Sequence, residues 1–441
     1  MNKQLCVISA PPDTYSGYGA RSRDFIKALY ELRKDVWDFQ IVPQRWGSTG
    51  WGFIEDYKEE WGWMKSLFLK AQPTSQPDIW IQISVPNEFQ PVGKFSIGIT
   101  AGIETTVCDA GWLDGVNRMN LVLVSSRHAK QVFENTSFQE KDKQTDSIKR
   151  SVKLLKPVEV LFEGVDLNSY FYIDGNKMPT TDLTTDLDTI KESFAYLYVG
   201  HWLQGEIGED RKNTGLLVKL FLETFKDKKK RPALILKTSS ATSCVMDRDE
   251  ILKKIDAVRE TVEGKDLPNI YLVHGDLDDK GMNILYNHPK VKAMVSLTKG
   301  EGYGRPLAEF CLSKKPVITS GWSGPIDFLN PEFSMLLPGE LKQIHPSAVV
   351  ANMLIPESFW FTPNQAAAVK ALEEVFENYS KYEVGGKRQG HKIKTEFSYD
   401  SMRDLLDIYL EKYVPKQVEL KLPQLKKITL PELVKVETET V

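Results

Sequence analysis

Cysteine is scarce: Cys6, Cys108, Cys244 and Cys311 are the only four in 441 residues, and no two form a C-x-x-C pair. That argues against a zinc site or a disulfide framework and fits a reducing compartment. Excess charge of one sign is missing too, since 57 basic side chains face 60 acidic ones for a formal net charge of −3. With no global field to draw the chain to a polyanion or an anionic bilayer, no stable nucleic-acid or membrane partner is expected. No apolar run approaches the roughly 20 residues that a membrane span needs. The opening stretch MNKQLCVISAPP has too short an apolar run for a signal peptide and no small-residue cleavage site after it. A cytoplasmic protein is the expectation. Internal repeats with a period of 20 to 50 residues are also lacking, which excludes solenoids and propellers.

What is present is an ordinary globular composition, 41% hydrophobic and 27% charged, in a chain long enough for two domains or three. The run QLCVISA (4–10) reads as a buried strand, and GYGARSRDFIKALYEL then turns through Gly17 and Gly19 into an amphipathic pattern. Further strands are expected at 36–42, 78–83, 95–100, 120–125 and 158–162, with a helix over 127–134. A second alternation of apolar runs and amphipathic helices follows from residue 194. The expected class is α/β: two Rossmann-like, doubly wound parallel-sheet domains facing a central cleft. The first domain spans 1–172, a polar linker 173–193, the second domain 194–397, a closing helix 398–414 and an extended tail 415–441. Between the second and third strands, residues 44–76 form a tryptophan-rich insert with Trp46, Trp51, Trp61 and Trp63. Its rings suit either an acceptor site or a local core under a long loop.

The most informative stretch is TKGEGYGRPLAEF, residues 298–310. It follows an apolar run, KAMVSL, so Glu301 is expected in a loop at the carboxyl end of a strand, where ligands collect in such sheets. Gly302 and Gly304 remove side chains and let backbone N–H groups approach a ligand. Pro306 suits the first turn of a helix. Glu309, one turn in, is expected to face the same crevice. Carboxylates accept pairs of hydroxyl hydrogen bonds and a helix start attracts phosphate, so acid, bare backbone and acid suit a nucleotide sugar.

From this point the chain resembles a known family. EGYGRPLAEFCLSKKPVITSGWSGPIDFL is similar to the donor-site signature of retaining GT-B glycosyltransferases, glycosyltransferase family 4, including two glutamates with seven residues between them. SSRHAKQVF, LFEGVDLNSYF, DRKNTGLLVKLF and FSYDSMRDLLDIYL resemble other segments of that family. The resemblance implies a nucleoside-diphosphate sugar donor, UDP- or GDP-linked, no metal and no other cofactor. It implies that Glu309 binds the donor ribose and that Glu301 meets the donor sugar. Backbone around Gly302, Tyr303, Gly304, Arg305 and Leu307 would hold hydroxyl and phosphate oxygens. Lys212 and Arg211 would neutralise the leaving diphosphate, although both also suit a solvated helix start. The family usually places an arginine after the glycine that ends the second domain's first strand, where this chain has His201. Either His201 contacts phosphate or Arg211 takes over. Gly17, Gly19 and Glu104 would stand on the acceptor side near the diphosphate, and Glu104 suits an ordinary loop acid as well. The acceptor itself is left open: saccharide, lipid, protein or modified nucleic acid. A nucleotide-sugar epimerase of the same architecture is the alternative. A dehydrogenase fits less well, because GYGARS has Ser22 where the dinucleotide fingerprint needs a third glycine.

Overall fold

The computed structural model describes residues 3–71, 75–142, 145–203, 205–240 and 243–416. The expected tail falls outside them from residue 417 onward.

Two six-stranded parallel sheets form the frame. The first contains β1 (Gln4–Ala10), β2 (Trp37–Pro43), β3 (Ile79–Ile83), β4 (Phe95–Thr100), β5 (Leu121–Val124) and β6 (Val158–Val160), in the spatial order 2-1-3-4-5-6. The second contains β7 (Ala195–Val199), β8 (Ala233–Lys237), β9 (Ile270–Val273), β10 (Val291–Ser296), β11 (Val317–Ser320) and β12 (Met335–Leu337), in the order 9-8-7-10-11-12. Runs such as LVLV in β5 and VITS in β11 are buried along their whole length, as strands covered by helices on both faces must be. In each sheet the strand order reverses once, between β1 and β3 and between β7 and β10. Loops leaving such a switch point diverge and open a crevice beyond the strand ends.

Helix α1 (Gly17–Arg33) starts directly after β1, with Ser16 Oγ accepting from Gly19 N–H at 2.9 Å. The second domain supplies α2 (Thr214–Phe225) after β7 and α3 (Arg305–Cys311) after β10. The long helix α4 (Tyr379–Glu396) leads into α5 (Tyr399–Tyr413), whose Tyr399, Met402, Leu406 and Leu410 are buried in the first domain's core beside α1. The chain therefore crosses between the sheets twice. The two crossings are hydrogen-bonded to each other: Val165 N–H donates to Phe397 O at 2.9 Å and Tyr399 N–H to Val165 O at 2.8 Å. Gly164 permits this approach, since a Cβ there would lie 2.6 Å from Ser398 O.

The stretch 173–193 carries a short helix, Asp182–Asp188, with a Thr181–Thr184 capping box. Its Leu187, together with Ile190, is buried in the second domain's core. The 44–76 insert contains two single-turn helices and a 3₁₀ segment, Gly62–Leu67. It divides its tryptophans: Trp61 is buried in the first core with Met64, Trp51 is exposed, and Trp46 stacks on Tyr18 with ring centroids 3.8 Å apart.

Candidate functional site

The loop after β10 brings Glu301 to the second switch point. Its shape has local causes. Gly304 has φ +96°, a region that favours glycine, and caps α3, with Pro306 in the first turn. Glu301 N–H is held by Ser323 Oγ at 2.9 Å. Facing it is the turn before α2. There the Asp210 carboxylate accepts from Lys212 N–H at 2.9 Å and Asn213 N–H at 2.8 Å, and Asn213 adopts φ +54° while donating to Leu297 O at 2.8 Å. Lys299 N–H donates to Arg211 O at 2.7 Å and ties the two loops together.

The result is a four-group cluster. Lys212 Nζ donates to both Glu301 oxygens, at 2.7 and 2.8 Å. Arg211 donates to Gly300 O at 2.9 Å and to Glu301 at 3.3 Å, and from the opposite domain Glu104 pairs with the same guanidinium at 3.3 Å. Burial works against the Glu301 charge, but Lys212 and Arg211 hold its carboxyl below the usual glutamate value. Burial likewise lowers the Lys212 pKa, with Glu301 opposing it. Sequence spacing leaves 88 positions between Lys212 and Glu301, and the fold makes them neighbours.

A cavity of about 370 Å³ opens between the domains at Glu301 and Glu104, while Arg211 and Lys212, bonded to Glu301, are not among its lining residues. Gly17, Glu104, His201, Glu301, Gly302, Tyr303, Gly304 and Arg305 line it, all singled out from the sequence. Larger hollows of about 630 Å³ on the second domain and about 730 Å³ between residues 167–172 and the second domain include none of residues 300–306. His201 sits at the mouth with its ring 3.3 Å from Ser239 Oγ, and desolvation together with the Lys212 charge lowers its pKa.

Other expected residues stand elsewhere. Glu309 is buried behind the cavity, where it accepts from Arg305 Nε at 2.7 Å and Tyr286 OH at 3.2 Å. Burial pushes its carboxyl up to about 7, with Arg305 pulling the other way. Leu307 is a core residue whose N–H is already bonded to Gly304 O at 3.0 Å. Gly19 is required by packing, because a Cβ would lie 2.3 Å from Thr14 O. The bare backbone at Gly300 and Gly302 is used by the first domain: Cβ atoms there would meet Glu104 O at 2.3 Å and Ala101 O at 2.6 Å.

Sequence reasoning missed several participants. Asp24 on α1 binds Arg305 Nη1 at 2.5 Å across the cleft, a bridge between domains. Tyr18, Arg21 and Glu163 also line the cavity. Glu163 lies inside LFEGVDLNSYF, and only its place after a strand at the domain crossing could have signalled it. Among the described residues no group of three or more His, Cys, Asp or Glu could hold a metal ion, and no helix is long and apolar enough to cross a membrane.

No family model matches the chain, and no curated protein matches its sequence. Solved structures do match its fold. A glycosyltransferase from Rickettsia africae superposes with a TM-score of 0.61 at 14% identity, covering 93% of this chain and 99% of its own. Anabaena HepE, solved in complex with UDP and glucose, gives 0.59 at 11% identity over 93% and 100%. The sucrose-phosphate synthase of Thermosynechococcus elongatus gives 0.59 at 12% over 93% and 99%. The epimerase alternative gains no support from these relatives. At such identities the likeness establishes the fold: two Rossmann-like domains facing a cleft, the GT-B architecture.

Proposed function

We propose that this chain is a glycosyltransferase that moves a sugar from a nucleoside-diphosphate donor, UDP- or GDP-linked, to an acceptor hydroxyl with retention of anomeric configuration and without a metal ion. The observation that carries the reading is the concentration of Lys212 and Arg211 on Glu301 beneath a cavity at the second sheet's switch point. As the bond from the anomeric carbon to the diphosphate lengthens, negative charge grows on the phosphate oxygen. Two fixed cations stabilise that charge more than they stabilise the ground state. Once the diphosphate engages Lys212 and Arg211, the Glu301 carboxylate becomes available to the donor sugar's hydroxyls.

In the front-face route proposed here, the acceptor oxygen forms its bond to the anomeric carbon on the side the diphosphate leaves. The acceptor's proton passes to a donor phosphate oxygen. The resemblance gives the ribose hydroxyls to Glu309, whose carboxylate lies behind the cavity on Arg305 and Tyr286 and would have to exchange one of those bonds to take them. The Anabaena relative's UDP and glucose support a nucleotide-sugar donor for the same fold.

Thermal stabilisation by UDP-, GDP- and ADP-sugars tests the reading, since a ligand at 100 times its dissociation constant adds about 2.7 kcal/mol. One of them is expected to stabilise the wild type and not Glu309→Ala. Equal stabilisation of both proteins removes Glu309 from the site, and none in the wild type removes the donor reading.

A further inference from the structure

Glu163 is a carboxylate without a partner. It follows β6 where the chain leaves the first domain, lines the cavity, and makes no hydrogen bond or ion pair among the described residues. The cations that act on it, Arg21 and Arg305, are both committed. Arg21 donates to Leu161 O at 2.5 Å and Phe162 O at 2.9 Å and also contacts Met402 sulfur. Arg305 is divided between Asp24 and Glu309. Burial raises the Glu163 carboxyl above its ordinary value, while the half-buried side chain faces the cavity with no protein donor on it among the described residues.

The same wall of the cavity is aromatic. Tyr18 and Trp46 stack on each other there, and the Tyr18 ring is fixed by its hydroxyl, which meets Thr100 Oγ1 at 3.0 Å and Ala101 N–H at 3.1 Å. Glu104 stands on this side too, half engaged by Arg211. Among the described residues that line the cavity from the first domain, Arg21 is the only cation. The wall therefore offers ring faces and carboxylates and no available positive charge. Ring faces cover the C–H surface of a pyranose, and carboxylates accept from its hydroxyls. A phosphate or carboxylate on the incoming molecule would instead meet Glu163 and Glu104, with Lys212 and Arg211 already engaged by the donor's diphosphate.

We infer that the acceptor is an uncharged saccharide, seated against Tyr18 and Trp46 with hydroxyls donated to Glu163, and that phosphorylated sugars are excluded. The inference rests on the donor reading above and names the acceptor class for the same cavity.

Saturation-transfer NMR on the full chain with UDP present tests it, using methyl hexosides of the gluco, manno and galacto series against the corresponding hexose 6-phosphates. At least one neutral hexoside is expected to bind, with its phosphate about tenfold weaker or worse. Glu163→Gln should weaken the neutral ligand, and Glu163→Lys should reverse the preference. Preferential binding of the phosphates, or binding of neither class, overturns the inference. A preference unchanged in a folded Glu163→Lys protein overturns the role of Glu163. UDP and GDP thermal shifts on the wild type keep the two readings apart: no shift with either nucleotide removes the donor reading, whereas a shift without hexoside binding removes only this one.

Discussion

The two domains share a sheet of six parallel strands and a reversal of strand order that points at one cavity, yet they furnish it differently. The second domain supplies charge from two tight loops: Glu301 and its neighbours after β10, Arg211 and Lys212 before α2. The first supplies aromatic and acidic groups from scattered places, with Tyr18 on α1, Trp46 in the insert, Glu104 after β4 and Glu163 after β6. The same framework thus builds one wall suited to phosphate and another suited to hydroxyls. What distinguishes the walls is loop content, because in a doubly wound sheet the strands fix only where loops emerge.

The contrast is broken most severely by removing the second domain's charge. Lys212→Ala is expected to lower kcat for sugar transfer by about 10²–10³, the usual effect of losing one charge-stabilising group. Stopped product-formation assays with the stabilising donor would measure it, and a change below tenfold would take Lys212 out of the chemistry. Contact between the walls is next. Gly302→Ala places a Cβ 2.6 Å from Ala101 O, so it should cost about 1–3 kcal/mol and widen the cleft. Urea unfolding and small-angle scattering would read the two effects. Asp24→Asn weakens the Arg305 bridge across the cleft and should cost about 1.5–3 kcal/mol by urea unfolding.

A pH experiment sharpens the comparison further. Burial pushes the Glu309 carboxyl up to about 7, above its ordinary value of 4.5. The folded state therefore binds more protons than the unfolded state across that interval, and this group's contribution to stability falls as pH rises from about 4.5 to about 7. Glu309→Gln should flatten that part of a plot of urea midpoint against pH. The smallest expected effect is Thr181→Ala, which removes half of a capping box and should cost about 1 kcal/mol. Because Leu187 and Ile190 of that segment are buried in the second domain's core, the loss is expected in the second domain's transition.

Much of the second domain was legible as sequence. The amphipathic helices expected after residue 194 emerge as Thr214–Phe225, Val245–Glu260 and Asp279–Asn287, because an apolar stripe at helical spacing already names the face that will be buried. The antiparallel pairs Ser137–Lys141 with Ile148–Lys153, and Gly339–Gln343 with Phe359–Pro363, were not legible. Three of the four strands are largely exposed, so no burial pattern marks them, and Phe359–Pro363, which is mostly buried, has an exposed partner. The glycines of the 298–310 stretch were read as room for a ligand. Gly302 lines the cavity, and it also admits the neighbouring domain's backbone.

The order of residues alone determined that two parallel α/β sheets would form and that an acidic, glycine-rich loop would stand at a strand end, since periodicity, turn chemistry and chain direction are local properties. Which groups confront one another across the cleft was decided by tertiary structure. Lys212 meets Glu301, Arg305 is shared by Asp24 and Glu309, and Glu163 faces the cavity, all because pairing depends on distances between loops that the sequence separates and only packing closes.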